Sequence, residues 1–490
     1  MISSVLFLVF ILTIPVYPAM AYKVVIFDGH MHSKYSDEGK MTEGREISHM
    51  AEDVRKILEG DRSREKCAFA VTDHSDVVFK RIKVGPITIE KGLRSLFTDA
   101  DWETRQKDLE PFAGESEVIA IPGEEVTVGN GKNEKTEGHF LVYGLKERVP
   151  YPFEGLTPQM LELDSEGPPG DLLLPESVWD GKPPRKEVAA VLQDVGRLMA
   201  FGYIAHPNGG PGWKDNWTSY AWSQARPFIG TVVKGIEVFS AGNNHSVQYG
   251  GVRKSKAWHQ WGDYLKSGTN FFVIGGSDNH NGEFTFGGVV GPNIGSSFTY
   301  LLFDDNQPIT ESTVEWALRN GHTVASTGPF VNLAVTPPGG KTAAGPGDTV
   351  TVKKGDEVTI TVEWNEGLLR GKPLIGAYLT IYRCFKSEKG KGIEPLPGWD
   401  GKPVAVTGET SFSYKIKQDQ FLFAKLEVVV DYLPLLSWYT AYTSPVFVDP
   451  PGVKRPAVDV ALVIDCSGSM SWNDPQGLRK EAAKQFIDLM

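Results

Sequence analysis

The sequence predicts an α/β fold in which a β/α barrel is followed by a small β-sandwich and an incomplete α/β unit. Short apolar, strand-like runs alternate with helix-like stretches in the first part of the chain. Beyond residue 328 the pattern changes to short strand-like segments separated by Gly and Pro. Five of the early runs lead to His, Asp or Glu, as expected for a metal site on a barrel rim. These runs and the polar residues after them are Val24–Phe27 with His30 and His32, Ala68–Val71 with His74, Val118–Ile121 with Glu125, Met199–Ala205 with His206, and Phe271–Ile274 with Asp278 and His280.

Length and charge limit the classes of protein that fit. A chain of 490 residues is too long for one ordinary domain, so we expect two or three. The formal net charge of −11 argues against a nucleic-acid partner, which needs a basic surface. Any anionic substrate would have to be attracted by a local positive site.

The first 21 residues are predicted to be a signal peptide. Val5–Val16 is mostly apolar but too short to span a bilayer comfortably, and Ala19–Ala21 fits a small-x-small cleavage site. The mature chain would begin at Tyr22 and be exported to the periplasm, the extracellular space or the cell surface. A retained membrane anchor is the alternative, since the segment lacks Lys and Arg. The cysteines are too few and too far apart for a disulfide framework: Cys67, Cys384 and Cys466.

Residues 22–328 are predicted to form the first domain. Apolar residues recur at helical spacing in Glu46–Leu58 and in Glu187–Met199. Thr313–Asn320 is a short helix candidate, with Gly321 as its C-terminal cap.

The rest of the chain is predicted to hold a second domain at 329–449, a stiff Pro-rich linker at 450–456 and the start of a third domain at 457–490. In the third segment, a strand and part of a helix cannot bury a core alone, so the segment is expected to be a truncated domain. The predicted strands of the second domain are Thr349–Val352, Glu357–Glu363, Tyr378–Cys384, Ser411–Ile416, Leu422–Val430 and Pro445–Val448.

The polar residues of the first domain form the candidate site. His30 and His32 are two positions apart in an extended segment, so both imidazoles can face one ion. A lone histidine is usually structural, yet six of the ten histidines lie at such strand ends or turns. No Ser-His-Asp arrangement or nucleophilic Cys context competes, so we expect no catalytic residues beyond the metal ligands. The candidate ligands are His30, His32, Asp37, His74, Glu125, His139, His206, Asp278 and His280.

These motifs resemble those of the PHP (polymerase and histidinol phosphatase) superfamily over roughly Val24 to Thr327. The motifs that follow Gly123, including Glu125 and Gly138-His139, look most like its CehA/McbA branch of metallohydrolases. The resemblance implies a distorted seven-stranded β/α barrel that holds two to three divalent ions. The motifs are Asp28-Gly29-His30-Met31-His32, Ser36-Asp37, Thr72-Asp73-His74, Gly123-x-Glu125, Ala205-His206-Pro207 and Ser277-Asp278-x-His280.

The resemblance also implies a distribution of the ligands over three ions. The first ion takes His30, His32, Glu125 and Asp278, the second takes His139, His206 and Glu125, and the third takes Asp37, His74 and His280. Zinc, manganese and iron all suit such ligands. Three ions and three carboxylates leave a charge near +3, which would attract a phosphorylated substrate or another small anionic molecule. We therefore expect a phosphoesterase in which a hydroxide bridging two ions is the nucleophile.

Other functions stay open at this stage. The CehA/McbA resemblance also permits a carboxyl-ester or carbamate hydrolase that uses the same ions. A surface adhesion protein with a non-catalytic barrel is a further alternative, although a scaffold has no need of nine ligands. Amidohydrolase barrels share the His-x-His motif, but Ser36-Asp37 and Ser277-Asp278-x-His280 fit the PHP pattern better.

The last segment resembles the metal-ion-dependent adhesion motif of von Willebrand factor A domains. A buried-strand run, Val458–Ile464, leads to Asp465, Ser467 and Ser469, whose oxygens could converge on one Mg²⁺. A simple Ser/Gly turn is the alternative. We expect neither tight metal binding nor adhesion from this fragment, whereas a full-length domain could bind a protein partner.

Overall fold

The structure is a computed structural model, and its described residues up to Asp449 belong to one compact unit. The predicted signal peptide, the linker, the adhesion-like motif with Asp465, Ser467 and Ser469, and the candidate ligands Asp37 and His280 lie outside the described residues. The structure describes residues 22–35, 46–60, 66–78, 82–84, 87–89, 94–96, 99–114, 116–133, 135–151, 184–207, 217–240, 256–279, 285–286, 289–290, 295–340, 342–385, 392–432 and 435–449.

One large mixed sheet of sixteen strands dominates the fold. Its main path runs β11-β10-β9-β8-β7-β2-β1-β14-β15-β24-β23-β19-β20, and β17, β21 and β25 pair off this path. The strands are β1 (Tyr22–Met31), β2 (Cys67–Val71), β7 (Val118–Val128), β8 (Gly138–Tyr143), β9 (Phe201–Ile204), β10 (Val233–Ser240), β11 (Phe272–Gly276), β14 (Phe298–Asp304), β15 (Thr323–Ser326), β17 (Thr349–Thr351), β19 (Leu374–Phe385), β20 (Glu394–Pro395), β21 (Lys402–Val404), β23 (Gln420–Tyr432), β24 (Leu435–Thr443) and β25 (Val446–Asp449).

Smaller sheets accompany the large one. A three-stranded sheet pairs in the order β16-β18-β22, and three two-stranded ribbons pair β3 with β6, β4 with β5, and β12 with β13. These strands are β3 (Asp76–Val78), β4 (Ile82–Val84), β5 (Ile87–Ile89), β6 (Arg94–Leu96), β12 (Thr285–Phe286), β13 (Val289–Val290), β16 (Phe330–Thr336), β18 (Glu357–Asn365) and β22 (Gly408–Lys415).

Six α-helices are present among the described residues. The three helices predicted within residues 22–328 are confirmed, because their apolar positions recur at helical spacing and pack into the hydrophobic cores. The short helix α6 has Thr310 as a capping residue, and Gly321 ends it in the left-handed conformation at φ 74°. The helices are α1 (Ile47–Gly60), α2 (Asp99–Leu109), α3 (Val188–Arg197), α4 (Ser219–Ala225), α5 (Lys256–Lys266) and α6 (Glu311–Asn320). Among the described residues, no helix has the length and apolar character needed to cross a membrane.

The predicted fold class is wrong. Strands account for 45% of the described residues and helices for 21%, and the sheet is a large curled mixed sheet rather than a seven-stranded β/α barrel. The physical reason is antiparallel pairing. β8 pairs antiparallel with both β7 and β9, and β14, β15 and β24 continue the sheet antiparallel beyond β1. Antiparallel neighbours need no crossover helix, so much of the sheet lacks the helices that a β/α barrel requires.

The curl of the sheet brings β11 next to β1. Met31 forms a parallel bridge with Asn279, and the backbone N–H of His32 donates to the carbonyl oxygen of Asn279 at 2.9 Å. The N–H of Asp278 donates to the carbonyl oxygen of His30 at 2.8 Å. Strands that are far apart in the sheet order therefore end close together, and this closure gathers the candidate ligands.

The C-terminal strands do not form a separate sandwich core. β16, β18 and β22 pack on a second hydrophobic core that also contains Ile26 and Tyr300 from the N-terminal strands. In β18 buried residues alternate with half-buried ones, as expected when one face packs on a core. The six predicted strands after residue 329 are confirmed, whereas β16, β20, β21 and β24 were not predicted. The predicted domain limits themselves stay predictions.

Candidate metal centre

The candidate ligands come from six strands whose ends meet at one edge of the curled sheet. In β2 and β7 every residue is buried, because both strands lie inside the sheet with neighbouring strands on either side. His74 continues the pairing of these two strands through a bridge to Glu125. The seven described candidates are His30 in β1, His32 after β1, His74 after β2, Glu125 in β7, His139 in β8, His206 after β9 and Asp278 after β11.

Four of these residues form the first candidate group. His30 Nε2 lies 3.3 Å from Glu125 Oε2 and 3.4 Å from Asp278 Oδ1. His32 Nε2 lies 3.4 Å and 3.5 Å from the same two oxygens. All four side chains are buried, and their ligand atoms lie within 4.8 Å of one another. The four atoms therefore surround one small volume that is closed to solvent.

Glu125 also belongs to a second group with His74 and His139. Its Oε2 lies 3.0 Å from His74 Nδ1, and its Oε1 lies 2.9 Å from His139 Nδ1 and 3.0 Å from His206 Nε2. The side chains of His74 and His139 are each 13% exposed. The second group therefore faces solvent, while the first lies beneath it. The resemblance had placed His74 with a third ion, whereas here it shares Glu125 with His139.

Five imidazoles thus contact the two oxygens of one buried carboxylate. Burial alone would raise the pKa of Glu125, but the charges of His74, His30 and His139 lower it well below its ordinary value. Burial lowers the pKa of His206, yet its hydrogen bond to Glu125 and the charge of that residue raise it to about 9. Glu125 therefore keeps its charge, and a proton on His206 helps to balance that charge.

Two candidate ligands have an unusual backbone conformation. His206 has φ 23° and Asp278 has φ 52°, in the left-handed region that residues other than glycine rarely adopt. Asp28 Oδ1 accepts from the backbone N–H of Ser277 at 2.9 Å and from that of His30 at 3.3 Å, which ties the two strand ends together. Such strain is typical of functional sites, where the surrounding structure maintains it.

The spacing of the ligand atoms fits a divalent metal ion. Donors bound tetrahedrally at roughly 2.1 Å lie roughly 3.4 Å apart, and the four contacts of the first group span 3.3 to 3.5 Å. Neither His30 Nε2 nor Glu125 Oε2 has a hydrogen-bond partner, although both atoms are buried. Buried polar atoms are normally satisfied, so this pair is well suited to coordinate an ion. These buried His, Glu and Asp groups could bind divalent metal ions.

The sequence reasoning missed one buried carboxylate beside the site. Glu237 lies in β10, and its Oε1 is 3.0 Å from His30 Nδ1. Its Oε2 accepts the backbone N–H of His206 at 2.8 Å. The available signal was a single acidic residue inside the apolar run Gly235-Ile236-Glu237-Val238-Phe239.

A second set of buried charges was also missed. Arg105 Nη1 pairs with Asp73 Oδ2 at 3.1 Å, and Glu124 is influenced by the charges of Arg148 and Arg105. We call Asp73, Arg105, Glu124 and Arg148 the guanidinium cluster. We call the seven described candidate ligands the imidazole cluster.

Comparisons with known proteins add little to this description. No family model matches the chain, and no curated protein matches it. One similar solved structure is that of a candidate metal-dependent phosphoesterase from Bifidobacterium adolescentis. It is 15% identical, covers 55% of this chain and 91% of its own, and superposes with a TM-score of 0.32. A similarity of this size shows neither a shared fold nor a shared activity. The buried His, Glu and Asp cluster itself fits a metal-dependent hydrolase.

Proposed function

We propose that this protein is a metal-dependent phosphoesterase that works with at least two divalent ions. The observation that carries the proposal is Glu125, a buried carboxylate shared by two groups of metal-ligating side chains. A carboxylate that contacts the ligands of both groups suits a pair of neighbouring ions, the arrangement used in many phosphoester hydrolases. The resemblance of the sequence motifs to the PHP superfamily supports the same activity.

The buried group and the outer group of ligands each hold one ion in this proposal, and the outer group also marks the entry of the substrate. His30, His32, Glu125 and Asp278 would hold the buried ion, and His74, His139 and Glu125 the outer one. Bound divalent ions supply Lewis acidity and lower the pKa of a coordinated water to roughly 7. Because the outer group is the more exposed of the two, we place the entry of the substrate on the side of His74 and His139.

Charge favours an anionic substrate at this site. Two divalent ions bring +4, and Glu125, Asp278 and Glu237 bring −3 when ionised, which leaves +1. The chain as a whole carries −11, so the attraction has to be local and short in range. A phosphate ester gains from this local charge more than a neutral ester or a carbamate does.

The first test combines metal analysis with a substrate panel. We expect the purified protein to hold at least two transition-metal ions per chain, and to hydrolyse phosphate monoesters or diesters faster than aryl esters and carbamates. A preference for carboxyl esters or carbamates would support the alternative activity on the same ions. Absence of stoichiometric metal after growth with zinc, manganese and iron would refute a metal-dependent hydrolase.

The second test removes ligands of the buried group. Replacing His30 and His32 together by alanine should abolish hydrolysis and reduce the bound metal, while the far-ultraviolet circular dichroism stays that of the parent. His49→Ala is the matched control, because His49 is exposed on α1. Unchanged hydrolysis in the double variant would show that the reaction takes place elsewhere.

A third ion and export are further parts of the proposal. As the resemblance implies, a third ion would be held by Asp37, His74 and His280, in which case His206 takes the place of His74 at the outer ion. Asp37→Asn should then remove one equivalent of bound metal from the wild-type content. Export predicts that mature protein begins at Tyr22, which N-terminal mass spectrometry of the secreted fraction can check. An intact N-terminus on membrane-bound protein would instead support the anchor.

A further inference from the structure

Glu237 is hydrogen-bonded to two of the candidate ligands, His30 and His206. It is 2% exposed and lies in β10, which pairs parallel with β9 on one side and with β11 on the other. β9 leads to His206 and β11 leads to Asp278. The side chain is therefore fixed between two strands whose following residues are candidate ligands.

Each carboxylate oxygen of Glu237 accepts a hydrogen bond from a different residue. Oε1 is 3.0 Å from His30 Nδ1, and a carboxylate can only accept there, so Nδ1 carries the proton. His30 Nε2 is then the nitrogen with the free lone pair, and it faces Glu125 and Asp278. Oε2 accepts the backbone N–H of His206 at 2.8 Å, where the chain has φ 23°.

The strand geometry makes room for these contacts. The pairing of β10 with β11 shifts register between Glu237 and Phe239, an irregularity that re-aims a side chain. A Cβ atom on Gly276 would lie 2.5 Å from His30 Cβ and 2.9 Å from Glu237 Oε1. Only glycine allows the imidazole and the carboxylate to meet at this position.

We propose that Glu237 is a positioning residue that fixes the tautomer of His30 and the turn at His206, and thereby raises the affinity of the site for a divalent ion. The inference rests on the proposed function only in requiring that the site bind a metal ion. A carboxylate that accepts from a ligating imidazole orients the ring and increases its basicity, and loss of such a partner lowers metal affinity about 10- to 100-fold. Glu237 itself has no ligand role in this proposal.

The test measures metal affinity rather than activity. Glu237→Gln keeps the shape of the side chain, but its amide nitrogen cannot accept a hydrogen bond, so either His30 or His206 loses its partner. We expect Zn²⁺ affinity of the chelator-treated full chain, measured by competition with a chromophoric chelator, to fall about 10- to 100-fold. Glu124→Gln is the matched control, because it also replaces a buried carboxylate in another strand of the same sheet and should leave Zn²⁺ affinity unchanged.

The outcomes separate the inference from the proposed function. Equal Zn²⁺ affinity in Glu237→Gln and the parent overturns the positioning role, while hydrolysis by the parent continues to support the enzyme. Reduced affinity in this variant with no hydrolysis by the parent keeps the positioning role and removes the enzyme. If the variant does not fold, ¹⁵N-histidine spectra of the zinc-loaded parent decide, with the His30 signal assigned through His30→Ala. Zinc on Nε2 with a proton on Nδ1 supports the inference, and zinc on Nδ1 overturns it.

Discussion

Two consecutive glutamates on β7 have opposite surroundings. Glu125 belongs to the imidazole cluster, and Glu124 belongs to the guanidinium cluster on the other side of the strand, because successive side chains of a strand alternate. Both are completely buried. Glu124 Oε2 accepts the backbone N–H of Val149 at 2.9 Å, and Arg148 and Arg105 supply positive charge nearby.

The kind of cation decides what each carboxylate can do. Burial raises the pKa of Glu124 and the charges of Arg148 and Arg105 compensate only in part, whereas the imidazoles lower the pKa of Glu125 well below its ordinary value. A deprotonated imidazole offers a lone pair to an ion, while guanidinium keeps its proton and has no acceptor atom. The imidazole cluster can therefore exchange protons for metal, and the guanidinium cluster is restricted to a structural role.

The largest effect on bound metal and on hydrolysis is expected from Glu125→Gln. The variant loses the charge shared by both groups, so bound metal should fall to background in elemental analysis. Hydrolysis should fall by more than about 10³-fold, because even partners outside the ligand set contribute about 10- to 100-fold. Metal content equal to that of the parent would contradict the shared role of Glu125.

Arg105→Met tests the structural side of the comparison. It leaves Asp73 buried without its ion pair and Gly123 without a donor to its carbonyl oxygen. Breaking a buried ion pair in this way typically destabilises a protein by about 3–5 kcal/mol. We expect a clearly lower thermal midpoint in calorimetry, with metal content per folded chain unchanged. A loss of metal without a loss of stability would mean that the two clusters are not functionally separate.

The sequence predicted local elements better than distant pairings. The helices α1, α3 and α6 could be predicted because apolar spacing is a local signal. The fold class could not, because β15 pairs with β24 more than a hundred residues later along the chain, and no local pattern encodes that choice. Most candidate ligands were visible because they follow apolar runs, whereas Asp37 and His139 were found through the family resemblance. Glu237 and Arg105 were missed, because their partners lie in or directly after strands that are distant in sequence.

The pH dependence of stability separates the ion-free protein from the metal-loaded one. His206 has its pKa raised from 6.5 to about 9, so its stabilising contribution is complete below pH 6.5 and is lost as the pH rises through about 9. The loss is about 3 kcal/mol for this group. The thermal midpoint of chelator-treated protein should therefore fall between pH 6.5 and 9.

With Zn²⁺ present the same midpoint should stay level over this range, because the ion takes the place of the protons. His206→Asn is the control, since it removes this titrating group and should make the fall in the midpoint of the ion-free protein smaller. A fall as large as that of the parent would assign the effect to another group.

The smallest effect is expected from Glu124→Gln. The amide oxygen can still accept from the N–H of Val149, and the neutral side chain no longer has to be desolvated as a charge. The lost attraction to Arg148 and the gained desolvation energy oppose each other, so we expect a change in the free energy of unfolding within about 1.5 kcal/mol. Unfolding by urea measures it. Glu124 and Glu125 differ by one position in sequence and by the cation they face. A large loss of metal from Glu124→Gln would mean that metal binding depends on both glutamates of β7. The kind of cation beside each carboxylate would then not explain their difference.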